Sequence, residues 1–317
     1  MRKKKIIITG GAGFIGSNLA EKMSNGNEVI ILDDLSTGKF ENVAEIVDKG
    51  NIRFIEGNIL NSDLLVKLLN GVDIVFHEAA ITSVTRSFEN PHYTSDVNIM
   101  GTLNVLLAAR ANKVKKVIFA SSSSVYGDSI NPTKKETMLP KLYSFYALTK
   151  LTGEYYCDLF NRFYNLPTIC LRYFNVYGPR QRPESQYAAV IPSFICRIMD
   201  NEPPIIYGDG NNTRDFVFVE DVIQANIIAA ECDIKGIYNV GSGCSTRIEE
   251  LARKVAKAMN KEIQPIYQKP NKGDIRRSLA DISKIEALGY KPRYGLDDGL
   301  SSTIKWFLQK SGKSSKA

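Results

Sequence analysis

The sequence predicts an α/β fold in which a doubly wound parallel sheet is followed by a second, smaller C-terminal α/β unit. Three observations carry this. Short β-branched runs alternate with longer helical stretches through the first half, the pattern of parallel strands joined by crossover helices and buried on both faces. A glycine-rich turn stands directly after the first of these runs. Past about Tyr173 the alternation gives way to loop-rich sequence, punctuated by Gly178-Pro179, Pro203-Pro204 and Gly208-Asp209-Gly210.

Taken in order, the first strand falls at 5–9 (Lys-Ile-Ile-Ile-Thr), and a helix at 14–24 opens directly after the glycines. A second strand follows at 28–32 and a third at 52–56, then a helix at 62–69. The fourth strand, 73–77, leads to a helix at 97–111. The fifth, 117–121, is followed by a long Tyr-rich helix at 143–164, and the sixth lies at 168–172. This divides the chain into 1–172, a mainly separate unit at 173–310 with segments returning to the first sheet, and a Lys/Ser-rich tail at 311–317.

Composition narrows the function classes. With 317 residues, 44% hydrophobic and 24% charged, the chain has room for a large core, and disordered, collagen-like and small disulfide-stapled classes are excluded. The net charge of +7 arises mostly at the ends, in Arg2 to Lys5 and in Lys310, Lys313 and Lys316. The body is nearly balanced, and no aromatic-interleaved basic stretch points to nucleic acid. Five cysteines without a C-x-x-C pair are expected to remain reduced, which implies a cytoplasmic protein. The apolar run after the basic start ends at Thr9-Gly10-Gly11, too soon for a secretory signal. No run approaches the roughly 18 apolar residues of a membrane span. Two histidines and no clustered cysteines give no familiar zinc spacing, so no metal site is expected.

The chemistry-bearing residues begin with Gly10, Gly13 and Gly16, placed between the first strand and the first helix. Glycines at these spacings allow a tight turn, a close backbone approach to a pyrophosphate and close helix-on-strand packing, with the helix N-terminus facing the negative charge. Asp33, about 20 residues on, stands where a carboxylate accepts hydrogen bonds from an adenosine ribose and repels a 2′-phosphate, so NAD is expected rather than NADP. The expected first unit is therefore Rossmann-like. A serine run, Ser121 to Ser124, ends the fifth strand, and Tyr146 and Lys150 lie one turn apart on the following helix. There the ammonium is expected to favour the phenolate, so that Tyr146 can act as a general base.

In this order these motifs resemble the extended short-chain dehydrogenase/reductase family. The resemblance spans Lys5 to about Phe307 and includes Asp73-Ile74-Val75-Phe76-His77-Glu78-Ala79-Ala80, Asn98 to Asn104, Leu171 to Pro179 and Thr213 to Val219. Lys272-Gly273-Asp274-Ile275-Arg276 continues it. Within the family the chain is most similar to UDP-hexose 4-epimerases, particularly those acting on UDP-N-acetylglucosamine. A homodimer is expected from the sequence pattern itself, built on the helices at 97–111 and 143–164. Phe145, Leu148, Leu151, Tyr155, Tyr156, Leu159, Phe160 and Phe163 give the latter too much apolar surface for one helix face in a monomer. The resemblance implies a UDP-sugar substrate and NAD as cofactor. It implies that Ser122 relays a proton, Tyr146 is the base and Lys150 holds the nicotinamide ribose. NAD contacts carry over to Gly10, Gly13, Phe14, Ile15, Gly16, Asp33, Asn58, Ile59, Ala79, Ala80 and Asn98, with Tyr146 and Lys150 at the nicotinamide. Substrate contacts carry over to Ser83, Ser122, Ser123, Tyr146, Asn175, Arg214, Arg276 and Ser278.

Two positions depart from the family pattern. Asn58 stands where an aspartate near the adenine is usual, and Asn271 where an arginine commonly grips the substrate diphosphate. Lys272, Arg276 and Arg277 are candidates to compensate. The rival enzymes, sugar 4,6-dehydratases and uronate decarboxylases, carry acids after the strand-end hydroxyl residue where this chain has Ser123 and Ser124. Uronate epimerases share the serines. A non-catalytic NAD-sensing protein would have no need of Ser122, Tyr146 and Lys150 together.

Overall fold

The computed structural model describes residues 1–47, 50–129, 131–182, 189–270 and 275–312. Seven strands form the central sheet: β1 (Lys5–Thr9), β2 (Glu28–Asp33), β3 (Ile52–Glu56), β4 (Ile74–His77), β5 (Lys116–Ser122), β6 (Thr168–Tyr173) and β7 (Gly236–Val240). All pair in parallel, in the order β7-β6-β5-β4-β1-β2-β3. The chain winds outward from β1 through β2 to β3, then returns to β4 on the other side of β1. That reversal opens a crevice at the carboxyl ends of β1 and β4, the usual ligand position in such sheets.

The strand sequences follow from burial on two faces. Ile6 and Ile8 join Val29, Ile31 and Phe76 in one core, while Ile7 joins Ile30, Leu32, Val75 and Phe119 in the other. Alternate residues point to opposite faces, so strands covered on both sides read as continuous apolar runs.

The main helices are α1 (Phe14–Met23), α2 (Ser62–Leu68), α3 (Gly101–Ala111), α4 (Phe145–Tyr164), α5 (Val190–Met199), α6 (Val219–Glu231), α7 (Ile248–Ala258) and α8 (Leu296–Lys310). Helices α1 and α6 cover one face, with Leu19 and Val222 in its core; α2, α3 and α4 cover the other, with Leu65, Leu106 and Phe160. Helix α4 starts at Phe145 because Ser144 is extended and its hydroxyl accepts from the Ala147 N–H at 3.0 Å. It stops at Asn165, which takes the left-handed conformation at φ 52°. The helix expected over 97–111 begins instead with a π turn at Asp96–Met100, where Asn98 bonds outward to the loop after β4.

The second unit holds α5, α7 and α8 with short strand pairs, among them Asn175–Tyr177 beside Phe216–Phe218 and Thr213–Arg214 beside Thr246–Arg247. Two of its segments, α6 and β7, return to the first sheet. The loop after Tyr177 reaches back across the crevice. Arg180 pairs with Glu21 of α1 at 2.6 Å and Arg182 donates to the Thr37 carbonyl at 2.7 Å.

Candidate active site

The cradle for a dinucleotide is built by the turn from β1 to α1. Gly10 has φ +69°, and its N–H donates to the Leu32 carbonyl at 2.8 Å. A Cβ on Gly16 would stand 2.2 Å from the Gly10 carbonyl oxygen, so only glycine lets the helix start this close to the strand. The first-turn N–H groups of Phe14, Ile15 and Gly16 have no intrahelical acceptor, and no side chain caps them from Gly13. They present an uncancelled positive helix end to the crevice. Asp33 ends β2, where its carboxylate accepts from the Ala12 and Leu35 N–H groups, each at 2.9 Å. Burial raises its pKa above the usual carboxylate value. Close-packed glycines, open N–H donors and an inward carboxylate fit NAD. Asn58 donates to Asp34 at 2.7 Å and accepts from the Leu60 N–H, which ties the ends of β2 and β3 together. Ile59 packs beneath Gly101, and Ala79 closes over Gly10 at the end of β4.

Beside this cradle lies a cavity of about 160 Å³, whose lining includes Ser122 from the end of β5, Tyr146 and Lys150 from α4, and Glu78 from the end of β4. The helical spacing brings Tyr146 and Lys150 to one face, as expected. Their relation differs from the simple expectation. The Lys150 ammonium donates to the Ala120 carbonyl at 2.7 Å and stands 5.9 Å from the Tyr146 ring centroid. Burial pushes the Tyr146 phenol up to about 12; Glu78 acts in the same direction and the Ser122 hydroxyl against it. Burial also lowers Lys150 to about 8, opposed by Glu78 and Glu154.

The other predicted residues divide. Asn98 is buried and fully used within the protein: it accepts from the Ile81 N–H at 2.8 Å and donates to the Ile81 carbonyl and to Thr149, both at 3.0 Å. It therefore fixes the loop after Ala79 and Ala80 against α4. Ser83 caps the short helix Val84–Glu89, accepting from the Arg86 N–H at 3.1 Å. Ser123 opens the turn after β5. Asn175 bonds the Asp215 carbonyl, and Arg214 the Thr213 carbonyl at 2.9 Å. The backbone of Arg276 accepts from the Thr213 N–H, and the buried Ser278 donates its N–H to the Thr213 carbonyl at 3.2 Å. This brings Ser278 and Arg214 to neighbouring positions on adjacent segments. Asn271, Lys272, Gly273 and Asp274 lie outside the described residues.

Sequence reasoning missed three polar residues in and beneath this cavity: Glu78, Tyr173 and Asn226. The Tyr173 hydroxyl donates to Glu78 at 2.8 Å, and Asn226 on α6 donates to the Tyr173 oxygen at 2.8 Å. The available signal was a carboxylate directly after the apolar strand Ile74–His77. Among the described residues no cluster of three metal-ligating side chains occurs, and no helix is long and apolar enough to cross a membrane. The cysteines are free thiols.

A dinucleotide cradle opening beside a Ser-Tyr-Lys cavity, at the reversal point of a doubly wound sheet, defines a nucleotide-cofactor-dependent enzyme. The chain belongs to the NAD dependent epimerase/dehydratase family, whose sequence model matches residues 6–241. It is 40% identical to the solved UDP-N-acetylglucosamine 4-epimerase from Methanobrevibacter ruminantium, determined with UDP-N-acetylmuramic acid. That match covers 98% of this chain and 100% of the other, with a TM-score of 0.95. A UDP-glucose 4-epimerase of Mycolicibacterium smegmatis is 36% identical over 97% of this chain and 99% of its own. A UDP-N-acetyl-alpha-D-glucosaminuronate decarboxylase of Bacillus cytotoxicus is also 36% identical, over 97% and 98% respectively.

Proposed function

We propose that the protein is a UDP-hexose 4-epimerase that interconverts UDP-N-acetylglucosamine with UDP-N-acetylgalactosamine, and UDP-glucose with UDP-galactose, through a transient 4-keto sugar. The observation that carries this reading is the convergence of Ser122, Tyr146 and Lys150 on one cavity beside the dinucleotide cradle. The substitution of Ser123 and Ser124 for the acids that elimination or decarboxylation would use favours epimerisation over its rivals. Glu78, the one carboxylate among the described lining residues, is engaged by Tyr173.

In this reading Tyr146 accepts the 4-hydroxyl proton and Ser122 fixes and relays it. The α1 N-terminus and Asp33 would hold NAD, whose chemistry when bound would be to accept and give back a hydride at the sugar C4. Arg214 and Asn175 anchor the nucleotide end, and Arg214 suits a diphosphate through paired hydrogen bonds. A phenol held high by burial is protonated at neutral pH, so forming the phenolate that accepts the proton needs the Lys150 positive charge close by. The free cysteines support a reducing, cytoplasmic setting.

The experiment is product analysis with all four UDP-sugars, for the wild type and for Tyr146→Phe. Interconversion at C4 is expected, with a loss on the order of a hundredfold or more in the variant while NAD binding persists. Release of water or carbon dioxide from the sugar, or wild-type turnover by Tyr146→Phe, would replace this reading.

A further inference from the structure

At the carboxyl end of β4, Glu78 meets the cavity lined by Ser122, Tyr146 and Lys150. It is held there by a chain of hydrogen bonds. Asn226 donates to the Tyr173 oxygen, and the Tyr173 hydroxyl donates in turn to the Glu78 carboxylate. Both Tyr173 and Asn226 are buried, and Asn226 is itself set by donation to the Val222 carbonyl of its helix. Buried polar groups are retained at a cost unless they are paired, and here the pairing ends on an acid with a neutral partner.

The same cavity is lined by an ammonium in need of an anion. Lys150 is 4% exposed, its hydrogen bond goes to the neutral Ala120 carbonyl, and it lies 5.0 Å from the Phe119 ring centroid. The titratable groups around it are Glu78 and His77 from β4, with Tyr146, Glu154 and Cys157 from its own helix. Glu154 is committed to Arg172 through two hydrogen bonds. His77 is held between Thr9 and Thr102 and is neutral, and Cys157 is a buried thiol. Glu78 is the remaining carboxylate.

We propose that Glu78 is a positioning residue of this site: its carboxylate, fixed by Tyr173 and Asn226, is the counter-charge that keeps the Lys150 ammonium protonated beside Tyr146. This rests on the reading of Tyr146 and Lys150 given above, but it concerns the charge state of Lys150 and not the identity of the sugar. The directions agree with the geometry. Burial lowers Lys150 and Glu78 raises it; burial raises Glu78 to about 7, with Tyr173 and Lys150 pulling it down. Each group is the other's support against desolvation.

The test follows Lys150 itself. Full-length protein carrying isotope-labelled lysine is titrated by NMR without substrate, and the Lys150 signal is assigned by its absence in Lys150→Arg. In Glu78→Gln, which keeps the shape of the side chain, the midpoint is expected to fall by about one pH unit or more, about a tenfold rise in the ratio of amine to ammonium at fixed pH. Glu78→Asp should recover much of the shift, and the alkaline limb of kcat should move with the midpoint. Tyr173→Phe leaves Glu78 in place but makes its protonation easier, so the midpoint should fall in the same direction by less. A midpoint unmoved in Glu78→Gln overturns the proposal; should that variant fail to fold, an unmoved midpoint in Tyr173→Phe does so. A wild type inactive on every UDP-sugar would sink the functional reading while leaving this titration to be judged on its own.

Discussion

Glu154 and Arg172 form a bidentate ion pair in the interior: the arginine Nε reaches one carboxylate oxygen at 2.8 Å and a terminal nitrogen reaches the other at 2.7 Å. Their side chains are 1% and 3% exposed. Glu154 lies one turn beyond Lys150 on α4 and also accepts from Ser121, the neighbour of Ser122. The pair therefore pins the helix of the proposed base to the two strands that end at the cavity. Glu154→Gln would leave a guanidinium buried without its counter-charge, and should cost about 3–5 kcal/mol in urea denaturation. Replacing both residues by apolar ones of similar volume should cost less than either single change. A fully stable Glu154→Gln protein would show that the pair does not support the site.

His77 gives the protein an acid-sensitive element. Thr102 donates its proton to the Asn98 carbonyl, so it must accept from the His77 Nε2–H at 2.9 Å, while Nδ1 accepts from Thr9 at 2.7 Å. A neutral imidazole satisfies both bonds. Burial, with Lys150 adding to it, lowers the pKa from 6.5 to about 3. The unfolded chain takes up a proton below 6.5 and the folded chain does not. Stability from this group is therefore present above 6.5 and lost as the pH falls towards 3, at up to about 1.4 kcal/mol per unit. Denaturation midpoints measured across that window should decline more steeply for the wild type than for His77→Gln. Equal slopes would mean that the imidazole is not held neutral.

Six of the seven sheet strands are legible in the sequence to within a residue at each end, because burial on both faces turns each into an unbroken apolar run. Strand β7 is not, since Gly236–Val240 stands deep in loop-rich sequence and becomes a strand only by pairing with β6. The glycine loop, Asp33 and the Tyr146–Lys150 pair are local patterns and so can be read directly. Glu78 cannot, because its partners Tyr173 and Asn226 are 95 and 148 positions away and a carboxylate at a strand end reads as solvated. Asn98 is a second case: the motif match predicts a cofactor contact, but the hydrogen bonds of its amide to Ile81 and Thr149 cannot be read from the sequence, since Thr149 is far along the chain.

The outer side of α4 supports the expected dimer. Helix α4 buries Tyr146, Lys150, Gly153 and Cys157 but exposes Phe145, Leu148, Tyr155, Leu159 and Phe163, the last at 69%. Phe88 adds to this surface by stacking edge-on against Phe145, and Leu107 of α3 is exposed as well. Monomers seldom leave so much contiguous apolar surface in water, and a second copy related by a two-fold axis would cover it. Light scattering at micromolar concentration should report a dimer, and Tyr155→Glu combined with Phe163→Glu a monomer. A wild type that remains monomeric would discard this assignment.

The choice between sugars should turn on Ser278. By the resemblance to UDP-hexose 4-epimerases, the residue four places after Gly273-Asp274 is expected beside the sugar 2-position, where a tyrosine would block an N-acetyl group and a small side chain would admit it. Ser278 is small, 6% exposed, and tied by its N–H to the Thr213 carbonyl, next to Arg214. A small wall residue admits the larger sugar without rejecting the smaller, because a missing group forfeits only part of the contact energy. Wild-type protein should therefore turn over both UDP-N-acetylglucosamine and UDP-glucose. Ser278→Tyr should lose activity on the N-acetyl sugar while activity on UDP-glucose survives or rises. Since a buried site can resist the larger side chain, a thermal melt and Ser278→Ala accompany the assay, the alanine variant keeping both activities. Equal loss on both sugars by a stable Ser278→Tyr protein would assign this position to packing and move the control of the 2-position elsewhere.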